Sequence, residues 1–291
     1  MVAPGMLQNP AVKAWLGGIE PAWTLLDQQS FDALRHSPPS PSGGPIRLAT
    51  DLTMDELRQS AVASSTMLLL RSAIAAPGLK LTATGNLART VVAEMSDRFA
   101  WPGFDKAEAF RFNKVVNEHD FLPLLLIHQL AEAAGLLRKL KGHLRGSARG
   151  RAVVDEPNLP SLQALLFHLT MWHLDLSAFG HVRHGRWPQG DVGIVLWSLS
   201  VSAVEWQSPE RLTRMCTIPI NSVLETDWDS ASMAMEAIIL RTLHWFGLID
   251  YRRELIEGQR FGERRFYRKT ALFDRFLLFD VRTEVMATIR H

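Results

Sequence analysis

Apolar residues recur along most of this chain at the spacing of an amphipathic helix. Residues three or four positions apart lie on one face of a helix, so an apolar set at that spacing predicts a helix with one buried side. Four such sets are Leu87, Val91, Met95 and Phe99; Leu126, Leu130, Ala134 and Leu137; Leu162, Leu165, Leu166 and Leu169; and Met235, Ile238, Ile239, Leu243 and Phe246. The pattern predicts a chain dominated by helices.

Helix starts and turn residues place the remaining elements. Thr53-Met-Asp-Glu56 has the form of a capping box and predicts a helix that runs to about Ala75. Leu79–Thr82 is predicted to be a short strand, followed by a turn at Thr84-Gly85-Asn86. Further helices are predicted over 191–205, 209–215 and 272–281.

Two basic, glycine-containing stretches are predicted to form β-hairpins. The first spans 136–154, and the second follows Gly247 and returns through 265–270. With these strands added to the helices, the predicted fold class is α+β, mainly α.

The two hairpins follow similar helices. When Gly135 is set over Gly247, both helices end in the pattern apolar-Gly-apolar-apolar. A basic hairpin follows each glycine, and Ser147-Ala148 or Thr270-Ala271 then opens the next segment. The spacing makes the second hairpin longer by eleven residues. This match predicts an internal repeat, and the alternative is that any two helix–glycine–strand junctions look alike.

Two helices, this junction and a two-stranded basic hairpin together resemble the winged-helix superfamily. The junction reads Ala134-Gly135-Leu136-Leu137 in one copy and Phe246-Gly247-Leu248-Ile249 in the other. The resemblance implies that the hairpins are wings along a phosphate backbone and that a helix enters the major groove. The tryptophan-rich helices between Pro160 and Met215 match nothing in a minimal winged helix. Leu79–Leu87 is also similar to uncharacterised bacterial plasmid ORF-3-like proteins, which imply no function.

These elements predict a four-part organisation. Pro38–Pro45 reads as a linker, and Pro157 with Pro160 marks a later boundary. The parts are an N-terminal arm with its Pro-rich linker over 1–50, a winged-helix-like module 1 over 51–155, a helical middle segment over 156–215 and a winged-helix-like module 2 over 216–291.

Composition excludes several protein classes. Of 291 residues, 47% are hydrophobic and 21% charged, which is typical of a globular protein and not of a disordered one. The single cysteine, Cys216, allows no internal disulfide. The first residues do not have the form of a secretory signal, and the most apolar stretches fall short of a membrane span. We therefore expect a cytoplasmic protein without a membrane partner.

The net charge of +2 is small, but the charge is unevenly distributed. Six basic residues and no acid lie in the first hairpin stretch, and basic side chains of this kind bind phosphates and release counterions. The candidate nucleic-acid-binding residues are Arg138, Lys139, Lys141, Arg145, Arg149 and Arg151. The alternatives are a solvated edge hairpin, whose charges prevent aggregation, and a surface for a protein partner.

The neighbouring helices are poorly suited to reading bases. The helix predicted over Glu118–Ala134 carries Glu118, Asp120 and Glu132. The helix before it, Asn86–Phe99, offers only Arg89 and Arg98 against Glu94 and Asp97. Any contact with duplex DNA is therefore predicted to lack strong base specificity.

A second basic cluster lies in a glycine-flanked loop, where two imidazoles and two guanidiniums could bind an anion. The residues are His181, Arg183, His184 and Arg186. No cysteine or carboxylate nearby completes a metal site. Glu225–Glu236 has acids at calcium-loop positions, but Ser230 stands where the loop needs glycine. No metal and no cofactor are predicted.

No catalytic motif is present. The chain has no Gly-x-Ser-x-Gly elbow, no phosphate-binding loop and no dinucleotide fingerprint, so no enzyme is predicted, although a site assembled from distant residues would leave no motif. The leading hypothesis is a nucleic-acid-associated protein, such as a transcriptional regulator, that contacts phosphates through basic wings. The alternative is a protein-interaction scaffold that does not bind nucleic acid.

Overall fold

The computed structural model describes residues 5–40, 43–104, 116–154, 158–179, 184–225, 228–255 and 262–284. Over these ranges the chain is mainly helical with small antiparallel sheets, which confirms the predicted α+β class. None of the helices in the ranges given could cross a membrane, because none is both long and apolar enough. The chain divides into two compact units, the inserted unit (Thr50–Thr170) and the terminal unit (Met1–Ala49 with Met171–His291).

Helices and strands are numbered in chain order. The helices are α1 (Pro10–Leu16), α2 (Gln28–His36), α3 (Met54–Arg58), α4 (Ala61–Ile74), α5 (Arg89–Arg98), α6 (Leu122–Ala133), α7 (Ala148–Val154), α8 (Leu162–His168), α9 (Val192–Ser202), α10 (Pro209–Cys216), α11 (Asn221–Leu224), α12 (Trp228–Met235), α13 (Arg241–Trp245) and α14 (Ala271–Phe276). The strands are β1 (Ile46–Leu48), β2 (Leu79–Lys80), β3 (Leu137–Leu140), β4 (His143–Gly146), β5 (Ile249–Leu255), β6 (Glu263–Lys269) and β7 (Leu277–Phe279).

The inserted unit begins with helices that side chains cap. The predicted capping box is present at α3, where Thr53 Oγ1 accepts from the Glu56 amide at 3.2 Å and the Glu56 carboxylate accepts from the Thr53 amide at 2.7 Å. Ser60 caps α4 by accepting from the Ala63 amide at 3.1 Å. α4 is buried along most of its length and packs against α6, α7 and β4. It forms the centre of this unit's core.

The sheet of the inserted unit has three antiparallel strands in the order β2-β4-β3. Leu79 of β2 and Lys139 of β3 both lie opposite Leu144 of β4. Helices α5 and α6 connect β2 to the β3–β4 hairpin. The elements from α4 onward therefore follow the order helix, strand, two helices, two strands.

The terminal unit contains a longer hairpin, β5–β6. Its strands pair over seven residues each, from Ile249 opposite Lys269 to Leu255 opposite Glu263. Gln207 forms an isolated bridge with Tyr267 of β6 and so adds one residue of a third strand. α12, a π-helical turn and α13 run directly into β5. A similar order recurs, with α9 before the bridge and α10 after it, and the short helix α11 is added between α10 and α12.

The N-terminal segment packs within the terminal unit. The indole nitrogen of Trp23 donates to the carbonyl oxygen of Thr217 at 3.0 Å, and Trp23 is fully buried. β1 pairs antiparallel with β7, with Ile46 opposite Phe279. These contacts join the two chain ends of this unit.

The two helix–hairpin junctions make the same hydrogen bonds. Gly135 and Gly247 both have positive φ, at 68° and 72°, which a glycine adopts without steric cost. The next amide reaches back to the helix in each copy: Leu136 N–H donates to Ala131, and Leu248 N–H donates to Leu243, both at 2.9 Å. This is the glycine-terminated helix end that the apolar-Gly-apolar-apolar pattern favours.

In each copy, the hydroxyl of the residue after the hairpin donates to the carbonyl of the junction glycine. Ser147 Oγ donates to the Gly135 carbonyl at 2.7 Å, and Thr270 Oγ1 donates to the Gly247 carbonyl at 2.8 Å. The same hydroxyls accept from amides in the first turn of the following helix, those of Gly150 and Phe273. We call this arrangement the hydroxyl lock. Its presence at matching positions supports the predicted internal repeat.

The strand registers match as well. Leu137 lies opposite Gly146 in the first copy, and Ile249 lies opposite Lys269 at the equivalent position in the second. The third-strand pairs, Leu79 with Leu144 and Gln207 with Tyr267, are also equivalent. Arg145 and Arg268 therefore hold the same place in the two sheets.

Three predicted boundaries are wrong. The first hairpin ends at Gly146 rather than 154, because Ser147 caps helix α7. The helix predicted from Glu118 begins at Leu122. The last helix ends at Phe276, where strand β7 begins. The division between the two units at Met171 falls within the predicted middle segment, 156–215, which stays a prediction.

Candidate nucleic-acid interface

The solvent side of the three-stranded sheet carries basic residues. Side chains alternate between the two faces of a strand, and directly paired residues share a face. Leu79 and Leu144 are buried on the inner face, so the other face carries Lys80, Arg138, Leu140, His143 and Arg145. We call this set the outer face.

Arg138 lies directly opposite Arg145 on the outer face. Like charges at directly paired positions destabilise a sheet unless something neutralises them. No acidic side chain of the described residues pairs with Lys80, Arg138 or Arg145. Arg145 Nε is buried and has no hydrogen-bond partner in that part of the chain. The arrangement is suited to binding an anion between the two strands.

Gly78 makes space for the stem of Arg145. A Cβ at Gly78 would lie 2.8 Å from Arg145 Cγ and 2.7 Å from the Leu144 carbonyl oxygen. Gly78 also has a φ of 92°, which other residues rarely adopt. The absence of a side chain at position 78 therefore lets the stem of Arg145 pack close to the start of β2.

The other predicted basic residues do not share this face. Lys141 is exposed in the hairpin turn, with a φ of 49°. Lys139 points to the opposite side and lies 3.3 Å from the Glu132 carboxylate. Arg149 and Arg151 lie in α7, where they donate to the carbonyl oxygens of Ala134 at 2.9 Å and Gly146 at 2.8 Å. Arg149 and Arg151 therefore have a structural role, because both bind main-chain carbonyls.

The second hairpin neutralises its own charge. Asp250 lies opposite Arg268, and their side chains form an ion pair at 3.4 Å. The Trp206 ring lies 4.7 Å from the Arg268 guanidinium and 4.6 Å from that of Arg252. Arginines over an aromatic ring gain cation–π stabilisation. These guanidiniums therefore have partners within the protein.

The helix before the first hairpin offers no cation to a base. Leu122, Gln129 and Ala133 are the exposed residues of α6, and Glu132 is partly exposed. On α5, Arg98 lies 3.1 Å from Glu94, and Arg89 Nε donates to Asn117 Oδ1 at 2.9 Å. The two arginines of α5 therefore have partners within the protein.

A buried carboxylate beneath the sheet was not predicted from the sequence. Glu118 is almost fully buried, accepts from the Leu87 amide at 2.6 Å and forms a short ion-pair contact with His128 Nδ1. His128 Nε2 lies 3.3 Å from Glu132 on its other side. The acidic residue looked like part of an exposed helix, and no local sequence signal marks it as buried.

The proposed anion-binding loop is only partly described. His181 and Arg183 lie outside the described residues, and Arg186 is exposed. His184 is buried, with its ring nitrogens 3.3 Å from Ser222 Oγ and 3.1 Å from Ser230 Oγ. Burial lowers the pKa of His184 and so disfavours the charged imidazolium that would attract an anion.

Groups for metal binding are not assembled in the described ranges. No cluster of three or more histidine, cysteine, aspartate or glutamate side chains there could hold a metal. Of the candidate calcium loop, Asp227 is outside the described residues, and Trp228 begins helix α12. Cys216 is fully buried, and burial strongly raises the pKa of its thiol, so a reactive thiolate is disfavoured.

Comparisons with known proteins agree with the resemblance to uncharacterised bacterial proteins. The family model described as the Y4jL N-terminal domain matches residues 58–159. The uncharacterised protein y4jL of Sinorhizobium fredii (strain NBRC 101917 / NGR234) is 35% identical over 80 residues, which is 28% of this chain. This chain covers 36% of that relative's length. No solved structure matches the chain. The matched residues 58–159 lie within the inserted unit and include its sheet.

Proposed function

We propose that this protein is nucleic-acid-associated and binds duplex DNA by contacting phosphates with the outer face of the inserted unit. The observation that carries the proposal is the pair Arg138–Arg145, two cations in direct cross-strand register with no acidic partner among the described residues. A phosphate placed there would neutralise both guanidiniums and release counterions from the DNA. Lys80 adds a third charge on the same face.

The order of elements supports a winged-helix arrangement for the inserted unit. α4, β2, α5, α6 and the β3–β4 hairpin follow one another as in that superfamily. A wing at the β3–β4 turn would place Lys141 beside the outer face, against the phosphate backbone of the DNA. Because α6 exposes Leu122, Gln129 and Ala133 rather than basic residues, the proposed mode is backbone contact with little base readout. A regulator built in this way would need a partner or DNA shape for its specificity.

Fluorescence anisotropy with a random duplex tests the proposal. Wild-type protein should bind at low salt and weaken as salt rises, with a log–log slope of about −0.9 for each phosphate contact. Arg138→Asp should reduce the magnitude of that slope by about 0.9 or more, because Asp would pair with Arg145 as Asp250 does with Arg268.

Arg253→Asp is the matched control for this experiment. Arg253 is exposed on the second hairpin and lies 3.8 Å from Glu263. Its charge reversal changes the net charge by the same amount as Arg138→Asp and should leave most of the binding. Equal losses in the two variants would show that only total charge matters.

A protein-interaction scaffold is the second candidate. Met233 and Leu255 of the terminal unit are 66% and 86% exposed, and exposed apolar side chains that cluster are typical of contact surfaces. Wild-type protein that ignores duplex DNA at low salt would favour this alternative.

A further inference from the structure

A cleft of about 540 Å³ adjoins the outer face. Its volume lies in the range of pockets that hold small molecules. One wall is the segment Leu79–Leu87, which the sequence marks as similar to uncharacterised bacterial proteins. Lys80 lines the cleft and also belongs to the outer face, so a ligand on one surface can extend into the other.

The wall of the cleft is held rigidly. Thr82 N–H donates to the Asn86 carbonyl at 2.8 Å, and Ala88 N–H donates to the Lys80 carbonyl at 2.9 Å. The buried Glu118 carboxylate accepts from the Leu87 amide and so anchors the turn from below. A site fixed in this way loses little conformational entropy when a ligand binds.

The cleft is lined by two cations, by neutral hydrogen-bonding groups and by Glu118, whose carboxylate is bonded to the Leu87 amide and to His128. Arg89 is oriented by its Nε bond to Asn117, and it makes no other hydrogen bond with the described residues. With Lys80 it provides two positive charges, and the start of α5, which has no side-chain cap, adds backbone donors. Thr84 and Asn86 offer hydroxyl and amide groups that both donate and accept.

We infer that the cleft holds one unpaired nucleotide of a nucleic acid whose backbone crosses the outer face. This inference rests on the proposed function. Lys80 and Arg89 contact the phosphate of that nucleotide, and Asn86 and Thr84 bond the base edge. A base stacked within a duplex cannot enter the cleft, because it must first leave the stack. The preferred ligand is therefore a duplex with a single-stranded end or gap.

Anisotropy with two labelled duplexes tests this inference. One duplex is blunt, and the other has the same sequence with a short single-stranded overhang. Wild-type protein should bind the overhang duplex about tenfold more tightly, the gain expected from one good set of base contacts. Arg89→Gln and Asn86→Ala should each remove most of that gain and leave binding to the blunt duplex unchanged.

Arg98→Gln is the control, because Arg98 lies at the other end of α5 and pairs with Glu94. It should bind both duplexes as the wild type does. Thermal melting of each variant shows whether the fold is retained. Equal wild-type affinity for the two duplexes, or equal losses on both in Arg89→Gln and Asn86→Ala, would overturn this inference and leave the proposed function standing. Failure to bind either duplex at low salt would overturn the proposed function and this inference together.

Discussion

The two hairpins share a backbone arrangement and differ in the charge opposite one arginine. Arg145 and Arg268 hold equivalent positions, but Arg138 faces the first and Asp250 faces the second. Trp206 lies over Arg268, at the position that Gly78 occupies beside Arg145. The junction glycine and the hydroxyl lock are common to both and determine the fold. The facing residue is what makes one hairpin available to an anion and the other self-neutralised.

The largest expected effect is on the free energy of unfolding, and it compares one equivalent core position in the two hairpin copies. Phe273 and Gly150 hold equivalent positions after the lock hydroxyl, yet Phe273 is fully buried and Gly150 lies against the Leu136 carbonyl without space for a Cβ. Phe273→Ala should lower the free energy of unfolding of the terminal unit by about 3–5 kcal/mol. Gly150→Ala should lower that of the inserted unit by about 1–3 kcal/mol.

Chemical denaturation with hydrogen exchange would assign each loss to its unit. The smaller variant Phe273→Leu serves as a control that retains most of the buried volume. Wild-type stability in Gly150→Ala would contradict the close packing of α7 on the junction.

The hydroxyl lock should contribute similarly in both copies. Ser147→Ala and Thr270→Ala each remove a helix cap and a bond to the junction carbonyl. Each should cost about 1–2 kcal/mol of unfolding free energy, measured by denaturant titration. Ser147→Thr and Thr270→Ser keep the hydroxyl and should be nearly neutral. A loss in one copy alone would indicate that the two locks are not equivalent.

Arg149 should matter for stability more than for DNA binding. Arg149→Ala removes the bond to the Ala134 carbonyl and should cost about 1 kcal/mol. Its effect on duplex affinity should be smaller than that of Arg138→Asp in the same anisotropy assay. A larger effect would indicate that the DNA contacts α7 rather than the outer face.

Calcium should have no effect on melting temperature. A ligand bound only by the folded state raises stability by mass action, and Glu225–Glu236 includes the start of α12 rather than an uninterrupted loop. Differential scanning fluorimetry with added calcium, and with magnesium as the control, measures the shift. An increase of several degrees with calcium alone would identify a site at these acids.

Local sequence signals were enough to predict the frame of both hairpins. The capping box at Thr53, the glycine junctions at Gly135 and Gly247, and the hydroxyls that follow each hairpin act through neighbouring residues. Short segments of sequence are therefore enough to predict their geometry. The coarse fold class followed from the same helical periodicity.

The roles of individual charges could not be predicted in this way. Arg138 and Arg145 share a face because of strand register, and Glu118 is buried because Leu87 and His128 meet it from distant segments. The basic run after Gly146 looks like a continuing strand, so the helix α7 and the carbonyl contacts of Arg149 and Arg151 were missed. Contacts between separate segments determine where these side chains lie, and the composition of the chain does not show those contacts.

Exchanging the facing residues tests whether the Arg138–Arg145 pair binds duplex DNA. The duplex anisotropy assay at low and physiological salt would compare wild type, Arg138→Asp and Asp250→Arg, with circular dichroism confirming that each variant is folded. We predict that Arg138→Asp loses most of the salt-dependent binding and that Asp250→Arg, which recreates two facing arginines, binds more tightly than wild type with a slope steeper by up to about 0.9. Unchanged binding in Arg138→Asp would contradict this prediction.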